Sequence, residues 1–588
     1  MGRPVPVWFG PEESPLFGLF HVPDSPTRGV IVLCPPLGLE YMNSYSTFLQ
    51  LATCLTRLGF AALRFDYRST GDSFDRVADR PGSCGFAHDV GLAVDFARAM
   101  EIAHVGIVGM RLGANFATVQ CGFEPVDAAV LWDPCPTGRS FLREQRALGV
   151  FAGARDLEER ADVVDLPRFE LSLEMRDEIA GLDLLAGQSG SANPGGLADK
   201  VLLLTRSERV ADRKLAGPFD PARVEHREVT GQPDLLDVRS PKQTVPAQAI
   251  ATVTGWLDEV MPRGGRRIAT PAIAEAVVRV SPDGPGSKEA SRDATALIRE
   301  RAVWLGPAGL FGIRTESDSG GPGPACIFLS VANDHRIGPG RLWVQLSRSL
   351  AAHGFACVRI DVNGFGDSPA RDGRPVQEVH SILAIDDVLD SARAMSPDDP
   401  SDVLLFGLCS SGYHVLEAAL TLLPRGVCLV NPWLMFQPPE VASGGTMDPR
   451  RRFCLPPTAL VAAVRSRPLV RRLRRRFPAL TSRVHRFVRL ATWRTQGSVG
   501  VHLNRPGERL GNLARAGTDV LLICGPREIS PFLETGMKPA RPDQPEERLQ
   551  IEVIPTLDHG LYPLRDRERV TGLILDHVLA RFHRGPEN

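Results

Sequence analysis

The chain has 588 residues, more than one hydrophobic core accommodates, so two large domains or several small ones are expected. Hydrophobic residues make up 43% and charged residues 23%, which excludes a disordered chain, a collagen and a disulfide-rich miniprotein. With 68 Lys+Arg against 69 Asp+Glu the net charge is −1, so any nucleic-acid or membrane contact must rest on a local patch.

The N-terminus, MGRPVPVWFGPEESP, lacks a basic region followed by an apolar stretch and does not read as a secretory signal. No apolar run has the length of a membrane span. The eleven cysteines are sparse, and Cys34, Cys326, Cys357, Cys428 and Cys524 sit in strand-like runs. Reduced, buried thiols in a cytoplasmic protein are expected. No CxxC pair or zinc-type His/Cys spacing occurs.

Along the chain, apolar runs alternate with helix-like stretches. GVIVLCPP (29–36), FAALRFDY (60–67), VGIVGM (105–110), AAVLWDP (128–134) and KVLLLTR (200–206) read as buried parallel strands. The second half offers ACIFLSV (325–331), FACVRIDV (355–362), DVLLFGL (402–408), GVCLVNP (426–432) and DVLLICG (519–525). Such alternation predicts doubly wound, mostly parallel α/β sheets.

The two series are copies. GFAALRFDYRSTGDS (59–73) answers GFACVRIDVNGFGDS (354–368). WFGPEESPLFGLF (8–20) answers WLGPAGLFG (304–312), and VGIVGMRLGA (105–114) answers DVLLFGLCSSG (402–412). The order and spacing match, which predicts a duplicated domain. The expected division is 1–262, a linker at 263–295 rich in Gly, Pro, Ser and charge, and 296–588. A short element inside the linker, RIATPAIAEAVVRV, is left open to pack on either half.

The sharpest chemical signal is Gly407-Leu408-Cys409-Ser410-Ser411-Gly412, a strand ending in Gly-x-nucleophile-x-small before a helix. So tight a turn exposes the apex side chain and aims the next backbone N–H at a developing oxyanion. Counting two residues from Gly407 puts Cys409 at the apex. The rival frame, with Ser410 at the apex, requires the bulky Leu408 where a small residue belongs. A base is expected in Leu557-Asp558-His559-Gly560, after the strand LQIEVIP (549–555). The acid that orients His559 should follow DVLLICG, with Glu528 best placed and Glu534 the alternative.

The first half keeps the glycines of the turn but carries Arg111 at the apex of Gly109-Met110-Arg111-Leu112-Gly113. A permanently protonated guanidinium is no nucleophile. Arg111 either holds an anionic group or a neighbouring domain, or is a salt-bridged relic. Ser207-Glu208 mimics the acid position, while the histidine slot, VTGQPDLLD (229–237), has none. His226 lies earlier, in a strand-like run. The first half therefore reads as non-catalytic.

Both halves resemble the α/β-hydrolase superfamily, and most nearly the exosortase-system-associated and serine-aminopeptidase-like hydrolases. The carrying segments in the second half are HRIGPGRLWVQLSRSLAAHGF (335–355), RIDVNGFGDS, FGLCSSGYH and LDH. In the first half they are CPPLGLEYMNSYSTFLQLA (34–52), LRFDYRSTGDS, GMRLGA and FELSLEMRDEIAGLDL (169–184). The resemblance implies two tandem α/β-hydrolase domains with helical cap insertions. It also implies a Cys409–Glu528–His559 triad, with an oxyanion hole from the N–H of Ser410 and one near Val331 or Ala332. Glu528 departs from the family, which commonly carries Asp there. Asp72 and Asp367 read as structural, suited to holding the turn beneath the site.

Residues 450–494 hold fourteen arginines, no lysine and no acid, in the place where caps are inserted (about 440–500). Val470, Leu473, Phe477, Leu480, Val484 and Val488 recur at helical spacing, and Pro468 and Pro478 mark two helix starts. One reading is a cap with a solvated basic face. The other is that Arg471, Arg472, Arg474, Arg475 and Arg476 bind an anionic substrate, an acidic carrier or partner protein, or an anionic membrane surface. No stacking or groove-reading motif supports nucleic acid.

The leading expectation is hydrolysis or acyl transfer on a small-molecule ester or thioester through an acyl-Cys409 intermediate, without metal or nucleotide cofactor. The alternative is a non-catalytic binding or scaffold protein of the same fold, because the first half shows that the nucleophile can be lost.

Overall fold

A computed structural model describes residues 2–75, 85–152, 163–185, 198–206, 222–237, 243–271, 275–282, 295–331 (except 319 and 322), 334–370, 383–432, 506–534 and 548–583, with residues 209, 215 and 217. The Arg-rich segment, including Arg471, Arg472, Arg474, Arg475 and Arg476, lies outside these residues, as do Ser207, Glu208 and Ala332.

The first sheet contains β1 (Val5–Phe9), β2 (Leu16–His21), β3 (Gly29–Cys34), β4 (Phe60–Phe65), β5 (Val105–Met110), β6 (Val126–Trp132), β9 (Ala198–Arg206) and β10 (Val224–Val229). Its order is β1-β2-β4-β3-β5-β6-β9-β10. A separate hairpin, β7 (Val163–Leu166) and β8 (Phe169–Ser172), stands after β6.

The second sheet contains β11 (Glu275–Val280), β12 (Ala296–Leu305), β13 (Leu310–Ser317), β14 (Ala325–Leu329), β15 (Cys357–Ile360), β16 (Val403–Leu408), β17 (Gly426–Val430), β18 (Asp519–Cys524) and β19 (Leu549–Val553). Its order is β11-β12-β13-β15-β14-β16-β17-β18-β19. Without β11 the two orders coincide strand for strand. In both, the first strands pair antiparallel and the rest pair parallel.

The central strands β3, β5, β16 and β18 are buried at every residue. This is why they read as continuous apolar runs rather than alternating ones: helices cover both faces of a parallel sheet. Each sheet accordingly has two apolar clusters, one holding Ile107 and Phe116 and its opposite Val108 and Trp256. Their counterparts in the second domain hold Leu405 and Val415, and Phe406 and Trp343. No helix among the described residues is long and apolar enough to cross a membrane.

The element left open between the halves resolves as β11, which extends the second sheet antiparallel to β12. Its Ala276 and Val278 are buried against Trp8, Phe17 and Leu19 of the first domain and Phe311 and Ile313 of the second. A second shared cluster joins Tyr41 and Met42 to Ile337 and Val344.

The domains also meet through charge, at the repeated RxDxxxxGDS loops. Within each loop the turn is held by Asp66 and Asp361, which accept the backbone N–H of Asp72 and Asp367 at 3.0 Å in both copies. The reading of Asp72 and Asp367 as the turn-holding residues is therefore corrected. Their carboxylates point across the interface instead, because buried cations from the other copy wait there. Arg359 pairs with Asp72 at 3.2 Å, and Arg64 pairs with Asp367. Arg336 lies between, 2.7 Å from Asp72, 2.9 Å from Asp361 and 3.0 Å from Asp367. Glu300 adds ion pairs to Arg348 at 2.8 Å and Arg359 at 3.0 Å.

Candidate active site

β16 runs directly into the helix Ser410–Leu422, so the chain must reverse within one residue. Cys409 is that residue, at φ 51 and ψ −117. A non-glycine residue in the left-handed region costs roughly 1–3 kcal/mol, so the surrounding structure must impose it. Cys409 donates its N–H to the Val430 carbonyl at 3.1 Å. The Ser411 hydroxyl accepts the Leu408 N–H at 3.0 Å and donates to the Leu408 carbonyl at 2.9 Å. A Cβ on Gly407 would stand 2.7 Å from the Ser411 carbonyl oxygen, so only glycine fits there. The side chain of Ser410 is buried, while its backbone N–H opens the helix.

His559 approaches from the turn after β19. Its Nε2 is 3.1 Å from Cys409 Sγ, and its Nδ1 is 3.4 Å from Glu528 Oε1. The second separation is somewhat longer than a normal hydrogen bond. Glu528 follows β18, and the two loops approach so closely that a Cβ on Gly525 would meet the Leu557 carbonyl oxygen at 2.5 Å. Asp558 holds the histidine turn by accepting the N–H groups of Gly560 at 2.7 Å and Tyr562 at 3.2 Å. The alternative acid, Glu534, ends the helix Ser530–Glu534, and its side chain lies outside those described. Val331 is buried beyond the end of β14.

Burial pushes the Cys409 thiol up to about 12, against the stabilising Ser410 N–H and the Arg168 cation. Burial also lowers the pKa of His559, while Glu528 and Asp558 act to raise it and Arg168 to lower it further. Near neutral pH the pair therefore rests as thiol and neutral imidazole. Such a pair transfers its proton during attack rather than before it.

Three contributors escape a sequence reading. Asn431 accepts the Gly525 N–H at 2.8 Å and donates to the Asp558 carbonyl at 2.9 Å, tying the Glu528 and His559 loops together. The chain shows only its place at the end of a strand, in VNPW; its φ of 40 belongs to the structure. Arg168 and Asp334 carry no local signal, because they come from different domains.

The first domain repeats the turn with an arginine at its apex. Arg111 has φ 54 and ψ −123, close to the Cys409 values. Its guanidinium is buried and pairs with Glu144 at 2.5 Å and Glu40 at 3.2 Å, with Asp133 at 3.8 Å. Asp133 also pairs with Arg206 at 2.7 Å. Of the two readings of Arg111, the salt-bridged one describes what it touches, and all these partners belong to the first domain. His226 instead meets the Thr205 hydroxyl at 2.7 Å, on paired strands β9 and β10.

Residues 330–572 match the model of the Alpha/beta hydrolase family. No curated protein sequence matches the chain. Among solved structures, a putative hydrolase from Agrobacterium vitis S4 is similar at 15% identity, over 44% of this chain and 99% of that one, with a TM-score of 0.29. The esterase domain of a Rhodothermus marinus protein is similar at 15% identity, over 44% of this chain and 100% of that one, with a TM-score of 0.31. Est1E from Butyrivibrio proteoclasticus with ferulic acid bound is similar at 12% identity, over 44% and 100% of the two chains, with a TM-score of 0.34. Sheet order, strand-to-helix turn and family match agree on an α/β-hydrolase fold, with the family match falling on the second domain.

Proposed function

We propose that the protein transfers or hydrolyses an acyl group through a covalent acyl-Cys409 intermediate in its second domain, residues 296–588. The observation that carries this is Cys409 at the apex of a strained strand-to-helix turn with Sγ 3.1 Å from His559 Nε2. The substrate is an ester or thioester. As Sγ attacks the carbonyl carbon, the thiol proton passes to His559 Nε2. The backbone N–H of Ser410, with one from the chain after β14, receives the oxyanion. The leaving alkoxide or thiolate takes the proton back from His559. Water or an acceptor then gives its proton to His559, attacks the thioester, and releases acid or acylated product with the thiol restored. Glu528 holds His559 in one tautomer and stabilises its positive charge. The first domain, residues 1–262, is non-catalytic in this reading.

The test is acylation by an activated ester, with the adduct located by mass. Native protein should label on Cys409, Cys409→Ala should not, and Ser410→Ala should still do so. Labelling of Cys409 only after denaturation would instead support a non-catalytic binding protein.

A further inference from the structure

The first domain reaches into this site at one point. The connection of the β7–β8 hairpin is Pro167-Arg168, between the paired residues Leu166 and Phe169. Arg168 has φ 56, in the left-handed region that favours glycine. A large side chain at such a position is a constraint that asks for a role.

The Arg168 side chain leaves its own domain. Its Nε donates to the Gly560 carbonyl at 2.9 Å, one residue past His559. Its Nη1 donates to Asp334 at 2.6 Å, and the guanidinium lies 4.9 Å over the Tyr562 ring. Asp334 in turn donates its backbone N–H to the Val331 carbonyl at 2.8 Å. One planar cation thus spans the histidine turn and the chain that follows β14. The same hairpin adds Asp165, which accepts the Leu564 N–H at 2.9 Å and lies 3.6 Å from Arg567. The His559 turn is therefore bounded on one side by its own β19 and on the other by the hairpin of the other domain.

Resting on the reading above, we propose that Arg168 is a positioning residue for the second domain's site. It acts through Gly560 and Asp334 on the placement of His559 and of the chain at Val331. The non-catalytic domain is thereby a working part of the active site, and reactivity requires the two domains to be docked.

A bidentate guanidinium suits this task, because its fixed fork holds two acceptors at set angles where an ammonium is a single point charge. The charge also matters. The groups facing His559 are Cys409, Glu528, Asp558 and Arg168, with Asp334 beyond. Arg168 lowers the pKa of both His559 and Cys409. Losing it should move the pH midpoint of acylation upward, a shift that Arg168→Lys, which keeps the charge, should not show.

The experiment follows acylation of Cys409 by p-nitrophenyl acetate in the full-length protein, from about pH 5 to 9. Arg168→Gln is expected to slow acylation roughly tenfold to 10²-fold, with little change in the half-saturating ester concentration and a raised midpoint. Arg168→Lys is expected to restore the midpoint and part of the rate. A wild-type rate in Arg168→Gln overturns the inference, and so does a slower rate with an unmoved midpoint. Should Arg168→Gln fail to fold, Arg168→Lys decides: loss of the fork is expected to slow acylation several-fold, and an unchanged rate overturns the inference. If wild-type protein takes no acyl group on Cys409, the proposed function falls and this inference with it. If wild type labels and Arg168→Gln labels equally fast, only this inference falls.

Discussion

Arg359 of the second domain pairs with Asp72 of the first at 3.2 Å, and both side chains are fully buried. The equivalent residues repeat the pair in the opposite sense, Arg64 of the first domain with Asp367 of the second. Residue i of one copy meets residue j of the other, and j meets i, which is the signature of an isologous interface. Two copies of one domain in a single chain thus use the same patch to hold each other. The loop that supplies the aspartate also ends in the serine that anchors the second strand of each domain, Ser73 to Phe17 and Ser368 to Phe311, at 2.8 Å in both.

Breaking one half of this exchange should be costly. Asp72→Asn leaves Arg336 and Arg359 short of an anion in a buried site, where removal of one partner typically costs about 3–5 kcal/mol. Chemical denaturation should show that loss. The double variant Asp72→Asn, Arg359→Met should recover part of it, because the stranded charge is gone.

Glu300 gives the interface a pH dependence. Its pKa is lowered from 4.5 to about 2, because the neighbouring Arg348 and Arg359 outweigh its burial. A lowered carboxylate pKa contributes stability that is present above the ordinary value and lost as pH falls toward the folded one. Asp66 and Asp361 act in the opposite sense, since burial raises both to about 6. Their contribution is greatest below the ordinary value of 3.8 and is lost as pH rises through about 6. Between about pH 4.5 and 2 the stability of the wild type should therefore fall more steeply than that of Glu300→Gln, as read by denaturant titrations at fixed pH steps.

Glu528→Gln should slow acylation of Cys409 by about 10²–10⁴-fold, the usual range for impaired acid–base work. Glu528 raises the pKa of His559, so its neutralisation should also move the pH midpoint of acylation downward. This is the opposite direction to Arg168→Gln. The pH–rate profiles of the two variants, measured with the same ester, check both signs.

The Arg111 site should not regain chemistry by a single substitution. Arg111→Cys in a Cys409→Ala background places a thiol at the same strained turn, with φ 54. Its buried partners Glu40 and Asp133 disfavour a thiolate, and no histidine occupies the 229–237 slot. Mass analysis after activated-ester treatment should find no adduct there. Stability should fall by about 3–5 kcal/mol, because the carboxylates lose their buried cation.

Much of this molecule was legible from the chain alone. The repeat, the parallel strands and the strand-to-helix turn are local patterns: runs of apolar residues, glycines where a Cβ has no room, a nucleophile-type residue between them. The positions of Cys409 and His559 followed from those patterns, because each stands at the C-terminal end of a recognisable strand. Ranking Glu528 above Glu534 used the same logic of loop placement. What Asp72 and Asp367 do was not legible, because in isolation each looks like a turn residue of its own loop. Asp66 and Asp361 hold the turns within their own loops, and only the docked pair shows that Asp72 and Asp367 serve the partner domain. Arg168 is likewise an ordinary loop arginine until the fold carries it 392 residues along the sequence to Gly560. The division is physical. Strand and turn preferences arise from neighbours a few residues apart and are written into composition and spacing. Buried ion pairs across 303 and 287 residues depend on which faces come together, and that is decided only when two complete domains pack.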